Sequence, residues 1–488
     1  MINFRIVFNL TGMLLVLVSL FMPVGIVFSL YYGDQDSGSL LLSALITAAV
    51  GLGLYFSNHY WKADYLRIRK RDGYVIVTMG WICISAFGAL PFYIHGAIPS
   101  YTDAYFETIS GFTTTGASIL NDIESMPHGL LFWRSMTHWM GGMGVIVLTL
   151  AILPLLGVGG AQLFGAEVSG PNKDKIHPQV QGTAKRLWGI YVLFTLIQTV
   201  LLLAGGMNLF DALCHAFGTM STGGFSTKQA SVAAFSPFVH YVIIVFMFLG
   251  ATNFSLHYHA MHGRFKTVFK DEEFRFYLIF TVVVTLFVAG TIFYFQDANA
   301  EQSFRDGAFQ VVSIITSTGF VTADYEAWAP HTRFVFLILL FTGGCAGSTT
   351  GALKMIRILM LIKNGMLELK RLVHPRAVVP IRFNGRIVPN SIINNILAFF
   401  ALYIMIFLLG TLAISFDPAF AEETLASAMG AVASTLGCMG PGIGVVGPMN
   451  NYAALSIPGK WLLSFMMLLG RLEIFTIFIM FSPSFWKT

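Results

Sequence analysis

Four times along the chain, an amphipathic stretch too short to cross a bilayer runs into a turn rich in glycine and hydroxyl residues. The turns read Thr114-Thr115-Gly116-Ala117, Ser221-Thr222-Gly223-Gly224, Ser317-Thr318-Gly319-Phe320 and Thr435-Leu436-Gly437-Cys438. A cation sheds its water only inside a ring of oxygens. One strand of backbone cannot build such a ring, whereas four equivalent strands can. The recurrence therefore predicts a chain folded around a central ion path.

Composition places that path in a membrane. The chain has 488 residues, 56% of them hydrophobic and only 11% charged, with a mean hydropathy of +0.72, against about 25% charged residues in soluble domains. Apolar runs of bilayer length, about 20 residues, fall near Ile6–Tyr31, Leu40–His59, Tyr74–Ile98, Pro127–Leu156, Leu187–Met207, Pro237–Met261, Phe274–Phe295, Thr332–Ile362, Ile392–Phe416 and Leu455–Phe481. The first is too long for a cleavable signal and no small-residue cleavage site follows it.

The expected fold class is all-α integral membrane, with ten transmembrane helices. The last eight form four helix–pore-helix–helix repeats around a pseudo-four-fold pore, an internal repetition of the kind that overrides single motifs. The expected boundaries are 1–72 for two leading helices, 73–160 for repeat one and 161–265 for repeat two. Repeat three, with a broken second helix, takes 266–370, and repeat four takes 371–488.

The short segments are Asp103–Thr113, Phe210–Met220, Phe304–Thr316 and Glu422–Ser434. Asp103, Asp211, Asp306 and the pair Glu422 and Glu423 stand where a carboxylate favours a helix start. At 1.5 Å per residue each segment reaches about 17–20 Å, enough to enter a membrane but not to cross it. Its negative C-terminal end then points at the membrane interior, where a cation gains from it.

Basic residues set the orientation. With the N-terminus inside, 23 of the 29 Lys and Arg residues fall on cytoplasmic segments, and Lys487 puts the C-terminus there too. Arg134, Lys228, Arg305, Arg333 and Lys460 fall outside or near the outer face, and Arg471 falls within a span. All four turns then open outward. The net charge of +5 reflects this sorting and implies no nucleic-acid binding.

Potassium is weakly hydrated, and uncharged carbonyl rings replace its shell without holding it too tightly. The turns carry no carboxylate of the sort that favours divalent ions. The candidate potassium-filter residues are Thr114, Thr115 and Gly116; Ser221, Thr222 and Gly223; Ser317, Thr318 and Gly319; and Thr435, Leu436 and Gly437. Glycine turns its carbonyl inward through φ > 0. Leu436 departs from the Thr of the other turns, at little cost if backbone oxygens coordinate.

As a set these features resemble the Trk/Ktr/HKT superfamily of potassium transporters, and most closely its bacterial TrkH-type branch, over nearly the whole chain. The resemblance implies a four-fold pore in a homodimer of the cell inner membrane. It also implies control by a cytoplasmic nucleotide-binding regulatory ring (TrkA-like). Some relatives with Ser at the first filter glycine favour sodium, so Gly116 implies potassium. Potassium ion is the cargo, with no organic cofactor.

Inside the eighth run, Gly343-Gly344-Cys345-Ala346-Gly347-Ser348-Thr349-Thr350-Gly351 makes a poor helix, since each Gly costs about 1 kcal/mol against Ala. Broken backbone at membrane depth is tolerated where it is buried in protein or lines water. We expect a gating loop under the filter, carried by Gly343, Gly344, Gly347, Ser348, Thr349, Thr350 and Gly351, against a tight helix crossing of small residues. The family resemblance assigns such a stretch to the gate as well. Arg471, a charge costing at least ~2.5–3.5 kcal/mol at mid-membrane, is expected to bond the carbonyls of that loop. Pairing with Glu473 is disfavoured, because residues i and i+2 do not face each other on a helix.

Other signals are weaker. Cys83, Cys214, Cys345 and Cys438 lack metal or disulfide spacing. His138, His215, His257, His259 and His262 raise a metal or proton relay; the most tempting cluster, His259 with Met261 and His262, lies at the inner end of a span beside Arg264, where interfacial histidines are common. Gly141-Gly142-Met143-Gly144 and Gly157-Val158-Gly159-Gly160 lack the strand–turn–helix of a dinucleotide site, so nucleotide control falls to a partner. The stretches 355–386 and 157–187 are basic enough to touch that partner or membrane lipid. No convergent nucleophile or metal set supports an enzyme. The rival transport reading is a proton- or sodium-coupled potassium symporter, for which Glu107 and Glu473 are the possible carriers.

Overall fold

The computed structural model describes residues 2–57, 70–147, 176–296, 298–375 and 379–487. Its secondary structure is helical apart from one two-stranded hairpin. Helices α1 (Phe4–Phe21) and α2 (Gly25–Tyr32) form one span interrupted by a 3₁₀ turn at Met22–Val24, because Pro23 cannot supply an amide to the helical ladder. They pack on α3 (Ser37–Ser57). Here a Cβ on Gly12 would stand 2.6 Å from the Gly51 carbonyl, so the helices cross at backbone contact.

Three groups of helices follow, each containing one short buried helix. The first comprises α4 (Lys70–Gly88), α5 (Leu90–His95), the short α6 (Tyr101–Phe112) and α7 (His128–Val147). The second comprises α8 (Ile176–Ala204), the short α9 (Leu209–Met220), α10 (Pro237–Gly250) and α11 (Phe254–Met261), with α12 (Phe265–Lys270) leading on. The third comprises α13 (Glu272–Phe295), the short α14 (Ala300–Ile315), α15 (Pro330–Leu339) and, after a loop, α16 (Met355–Val373).

Strands β1 (Arg382–Phe383) and β2 (Arg386–Ile387) then make the antiparallel hairpin, with Arg382 opposite Ile387. The last group holds α17 (Asn390–Ile414), the short α18 (Leu425–Gly437), α19 (Ile457–Arg471), α20 (Phe475–Phe481) and α21 (Pro483–Trp486).

The outside of the helix assembly is apolar and part of its inside is polar. Helix α13 exposes Ile279, Val283 and Leu286 and buries Glu273, Thr281 and Thr285, an inversion that suits a hydrocarbon solvent. Among the described residues, six helices are long and apolar enough to cross a membrane: Phe4–Tyr32, Ser37–Phe56, Arg71–His95, Ala184–Ala204, Glu272–Phe295 and Asn390–Ile414. Two bent pairs bring this to eight, α10 with α11 at 103° and α19 with α20 at 115°.

Two of the ten expected runs are not among these eight spans. The run Pro127–Leu156 begins as α7 and passes into residues outside the described set. The run Thr332–Ile362 is broken, as expected, into α15, a loop over residues 340–354 and the start of α16, a helix that also carries Lys363 and Lys370.

Asp103 in α6 and Asp211 in α9 stand in the first turn as expected, whereas the other two short helices start elsewhere than the sequence pattern predicts. Ser100, Asn208 and Asn299 cap α6, α9 and α14, accepting from Asp103 N at 3.4 Å, Asp211 N at 2.7 Å and Gln302 N at 2.8 Å. Amide-accepting side chains therefore set three of the starts. In α14 the first-turn acid is Glu301, and Asp306 sits mid-helix. Helix α18 has no first-turn acid: it begins three residues past Glu422, and Glu423 instead accepts from Ser427 Oγ at 3.0 Å.

Candidate ion path

The four short helices end in one backbone design. Two residues before a glycine, the chain enters the left-handed region at Thr114 (φ 53°), Thr222 (55°), Ser317 (50°) and Cys438 (54°). It does so again at Gly116 (81°), Gly224 (81°), Gly319 (80°) and Gly440 (85°). Between them, an amide reaches back five residues each time. Thr115 donates to Ser110 O at 2.9 Å, Gly223 to Gly218 O at 2.8 Å, Thr318 to Ser313 O at 2.8 Å and Met439 to Ser434 O at 2.9 Å. Left-handed non-glycine residues cost about 1–3 kcal/mol each and persist only where the surroundings over-determine them.

These turns meet. A Cβ added to Gly116 would strike the Gly223 carbonyl, one on Gly224 the Thr318 carbonyl and one on Gly319 the Met439 carbonyl. One on Gly440 would lie 2.8 Å from the Thr115 carbonyl. Thr115, Gly223, Thr318 and Met439 occupy the same position of each turn, so the contacts run from the first turn to the fourth and back to the first. A single cavity of about 100 Å³ is lined by all four glycines, together with Lys228 and Tyr452.

The register differs from the sequence expectation at two turns. The left-handed glycine of the second is Gly224, and Gly223 supplies the facing carbonyl. In the fourth, Thr435, Leu436 and Gly437 belong to the end of α18, with Thr435 Oγ1 donating to Ala431 O at 2.7 Å. The turn proper is Cys438-Met439-Gly440. The delayed start of α18 moves the whole element along the sequence, and the residue matching Thr115 and Thr318 is then Met439, not Leu436. Thr114, Thr115, Gly116, Thr222, Gly223, Ser317, Thr318 and Gly319 stand in the turns, and Ser221 leads into the second.

Beneath the turns lies the glycine-rich stretch. Gly343 N bonds Leu353 O at 2.8 Å and Met355 N bonds Gly344 O at 3.0 Å, closing residues 343–353 into a compact loop. The loop wedges into the α10–α11 break, where Cys345 N donates to Ala251 O at 2.9 Å and Phe254 N to Gly347 O at 3.2 Å. This insertion supplies partners for the backbone groups that the bend frees.

The loop tip touches the turns directly. Thr222 Oγ1 reaches Thr349 Oγ1 at 3.1 Å and Gly351 N donates to Ser317 Oγ at 2.9 Å. A Cβ on Gly351 would strike the Gly437 carbonyl. Ser348 donates to Cys345 O, Thr350 accepts from Gly344 N, and Lys354 Nζ contacts the Thr350 carbonyl.

Arg471, only 4% exposed, holds this tip from the side. Its Nη1 donates to Thr349 O at 2.8 Å and its Nη2 to Gly141 O at 3.0 Å. It is the last residue of α19, at the bend. Glu473, with φ 54°, turns away to pair with Arg357 at 2.5 Å. Gly141 does double duty: a Cβ there would also strike the Phe112 carbonyl at the end of α6.

One pairing that positions the site is not legible in the sequence. Arg134 and Glu107 form a buried pair at 2.6 Å. Glu107 also accepts from Ser118 Oγ and Ile119 N, and Arg134 donates to Ser226 O. The pair therefore ties the exits of the first two turns together. An outer-face arginine and an acid in a short helix were the only signals, and their proximity was not encoded in spacing.

Histidines 138, 215, 257 and 262 each donate a ring N–H to a backbone carbonyl. No group of three or more metal-ligating side chains occurs among the described residues. All four cysteines are free thiols. Gly157 to Gly160 lie outside the described residues.

This arrangement, apolar outside and hydroxyl- and carbonyl-lined at its centre, defines a multi-pass membrane protein. Residues 39–488 match the family model described as TrkH, cation transport protein, and the chain belongs to that family. It is 40% identical to the Trk system potassium uptake protein TrkH of Escherichia coli (strain K12), covering 99% of this chain and 100% of that protein. It is 35% identical to the Trk system potassium uptake protein TrkG of the same organism, over 99% of each. The crystal structure of the potassium transporter TrkH from Vibrio parahaemolyticus superposes with a TM-score of 0.90 at 35% identity, covering 100% of both chains. The family is one of transporters and not of enzymes.

Proposed function

We propose that the chain takes up potassium across the cell inner membrane through a ring of main-chain carbonyls set by Gly116, Gly224, Gly319 and Gly440. The observation that carries this reading is the closed circuit in which each left-handed glycine abuts the carbonyl of the next turn. Such a ring offers uncharged oxygens from four sides, which matches a weakly hydrated monovalent cation. The names of the relatives, all potassium uptake proteins, favour the same cargo.

In this reading the chain has ten spans in two leading helices and four pore repeats, with both termini cytoplasmic as the basic residues direct. The loop 343–351 blocks the path below the ring, and Arg471 holds it closed. Opening is controlled by a cytoplasmic nucleotide-binding ring, an assignment favoured by the relatives' designation as members of a Trk system. The working unit is a homodimer in lipid. Passive, gated flow is favoured over proton symport because both candidate carriers are engaged, Glu107 with Arg134 and Glu473 with Arg357.

The test is flux into liposomes under imposed gradients. Potassium is expected to equilibrate down its own gradient and to exceed sodium, with Gly116→Ser lowering that preference. Accumulation of potassium against its gradient, driven by protons, overturns the reading.

A further inference from the structure

Helix α13 opens with three consecutive acids, Asp271, Glu272 and Glu273, and they grip two different structures. Asp271 Oδ2 accepts from Asn384 Nδ2 at 2.8 Å, and Glu272 Oε1 accepts from Asn384 N at 3.0 Å, while Glu272 N donates to Asn384 Oδ1 at 2.9 Å. Asn384 is the left-handed turn residue (φ 48°) of the β1–β2 hairpin. Lys363 clamps the same end, bonding Glu272 and the Arg382 carbonyl.

Glu273 faces the other way and is 2% exposed. One oxygen, Oε1, accepts from both Ala346 N at 2.7 Å and Ile356 N at 3.1 Å. These two amides bracket the segment Gly347–Met355, so a single carboxylate atom cinches the neck of the loop. A buried carboxylate is expensive and is retained where its hydrogen bonds are needed.

We propose that Glu273 is a positioning residue for the gating loop, and that the hairpin around Asn384 is the lever that moves it through the rigid first turn of α13. The proposal rests on reading the loop as a gate. The loop carrying Thr349 and Gly351 hangs from the Glu273 neck, and the surface hairpin is tied to the residues immediately preceding it. Arg382, Arg386 and Ile387 are exposed on that hairpin. A force applied there shifts Asp271 and Glu272, and with them the atom that holds Ala346 and Ile356.

The experiment reads loop position without measuring ion flow, so its failure is distinct from failure of the potassium reading. Cys345, fully buried in the loop, is labelled with N-ethylmaleimide in the full-length protein in detergent. Each cysteine is quantified by peptide mass spectrometry, with Cys214 as the fold control. Glu273→Ala is expected to raise the Cys345 labelling rate roughly tenfold through local opening while Cys214 stays protected. Glu273→Gln keeps an acceptor oxygen and stays near the native rate.

Asn384→Gly preserves the left-handed turn but removes the side-chain grip, and is expected to raise Cys345 labelling about threefold. Because Asn384 lies on the surface hairpin, this arm survives even if Glu273→Ala misfolds. An unchanged Cys345 rate in Glu273→Ala overturns the positioning role. An unchanged rate in Asn384→Gly overturns the lever.

Discussion

Arg134 Nε donates to Glu107 Oε1 at 2.6 Å, with side-chain exposures of 2% and 0%. Around this pair sit the exits of the first two turns: Ser118 and Ile119 bonded to Glu107, Ser226 to Arg134, and the Phe225 ring 3.6 Å beneath the guanidinium. A buried pair of this kind fixes geometry more than it adds net stability. Removing one partner leaves the other charge stranded.

Glu107→Gln is therefore expected to cost about 3 kcal/mol of stability, with a matching fall in the melting temperature of the detergent-solubilised protein. The double variant Glu107→Gln with Arg134→Gln should recover part of that loss, since neither site then holds an unpaired charge. A Glu107→Gln protein as stable as the parent defeats the argument.

Much of this molecule is legible in its sequence, but unevenly. Hydropathy locates the spans because lipid demands apolar surface from nearly every exposed residue, as Ile279 and Leu286 show on α13. The four turns stand out because left-handed backbone selects glycine. The register of the fourth turn is not legible, since Gly437 and Gly440 look alike in sequence and only the late start of α18 separates them. The 103° bend after Gly250 was invisible, because its cause is a loop nearly a hundred residues away that donates to Ala251 O. The pairs Glu107–Arg134 and Glu473–Arg357 were equally hidden. Each joins residues whose separation carries no helical period.

Arg471 loses two carbonyl partners on truncation, Thr349 O and Gly141 O, and each charge-assisted bond is worth about 1.5–3 kcal/mol. If those bonds hold the loop against the turns, Arg471→Ala raises resting potassium flux roughly tenfold or more. Arg471→Lys, which keeps the charge but not the fork, should fall between the two. Liposome flux at fixed protein density reads the series. Flux and its control both unchanged in Arg471→Ala removes the residue from the gate.

Glu326 lies outside the membrane-spanning segments, between α14 and α15, and bonds the Gly444 amide in the segment that roofs the ring. Burial lifts its carboxyl above the ordinary range, with Asp324 and Glu423 adding to the rise and the Gly444 bond and Arg333 opposing it. The folded protein thus binds the proton more tightly than the unfolded chain. Its contribution to stability is fully present below the unfolded pKa and is lost as pH rises through the folded value. The melting temperature should decline between the ordinary carboxylate range and that raised value, and Glu326→Gln should flatten the decline. Parallel pH profiles for the two proteins rule this out.

Gly440 and Gly437, three residues apart, make opposite demands. Gly440 has φ 85° and stands against the carbonyls of Thr115 and Gly116, while Gly437 ends α18, and a Cβ there would meet Leu340 O at 3.0 Å. An alanine at position 440 meets a left-handed backbone, at about 1–2 kcal/mol, and a neighbouring turn that it must displace. An alanine at position 437 needs only a few tenths of an ångström from its surroundings. Gly440→Ala is accordingly expected to cut potassium flux at least tenfold or to erase preference over sodium, and Gly437→Ala to keep both within about threefold. The permeability ratio measured on the two variants decides the register. If Gly437→Ala is the damaging one, the ring has been assigned to the wrong glycine.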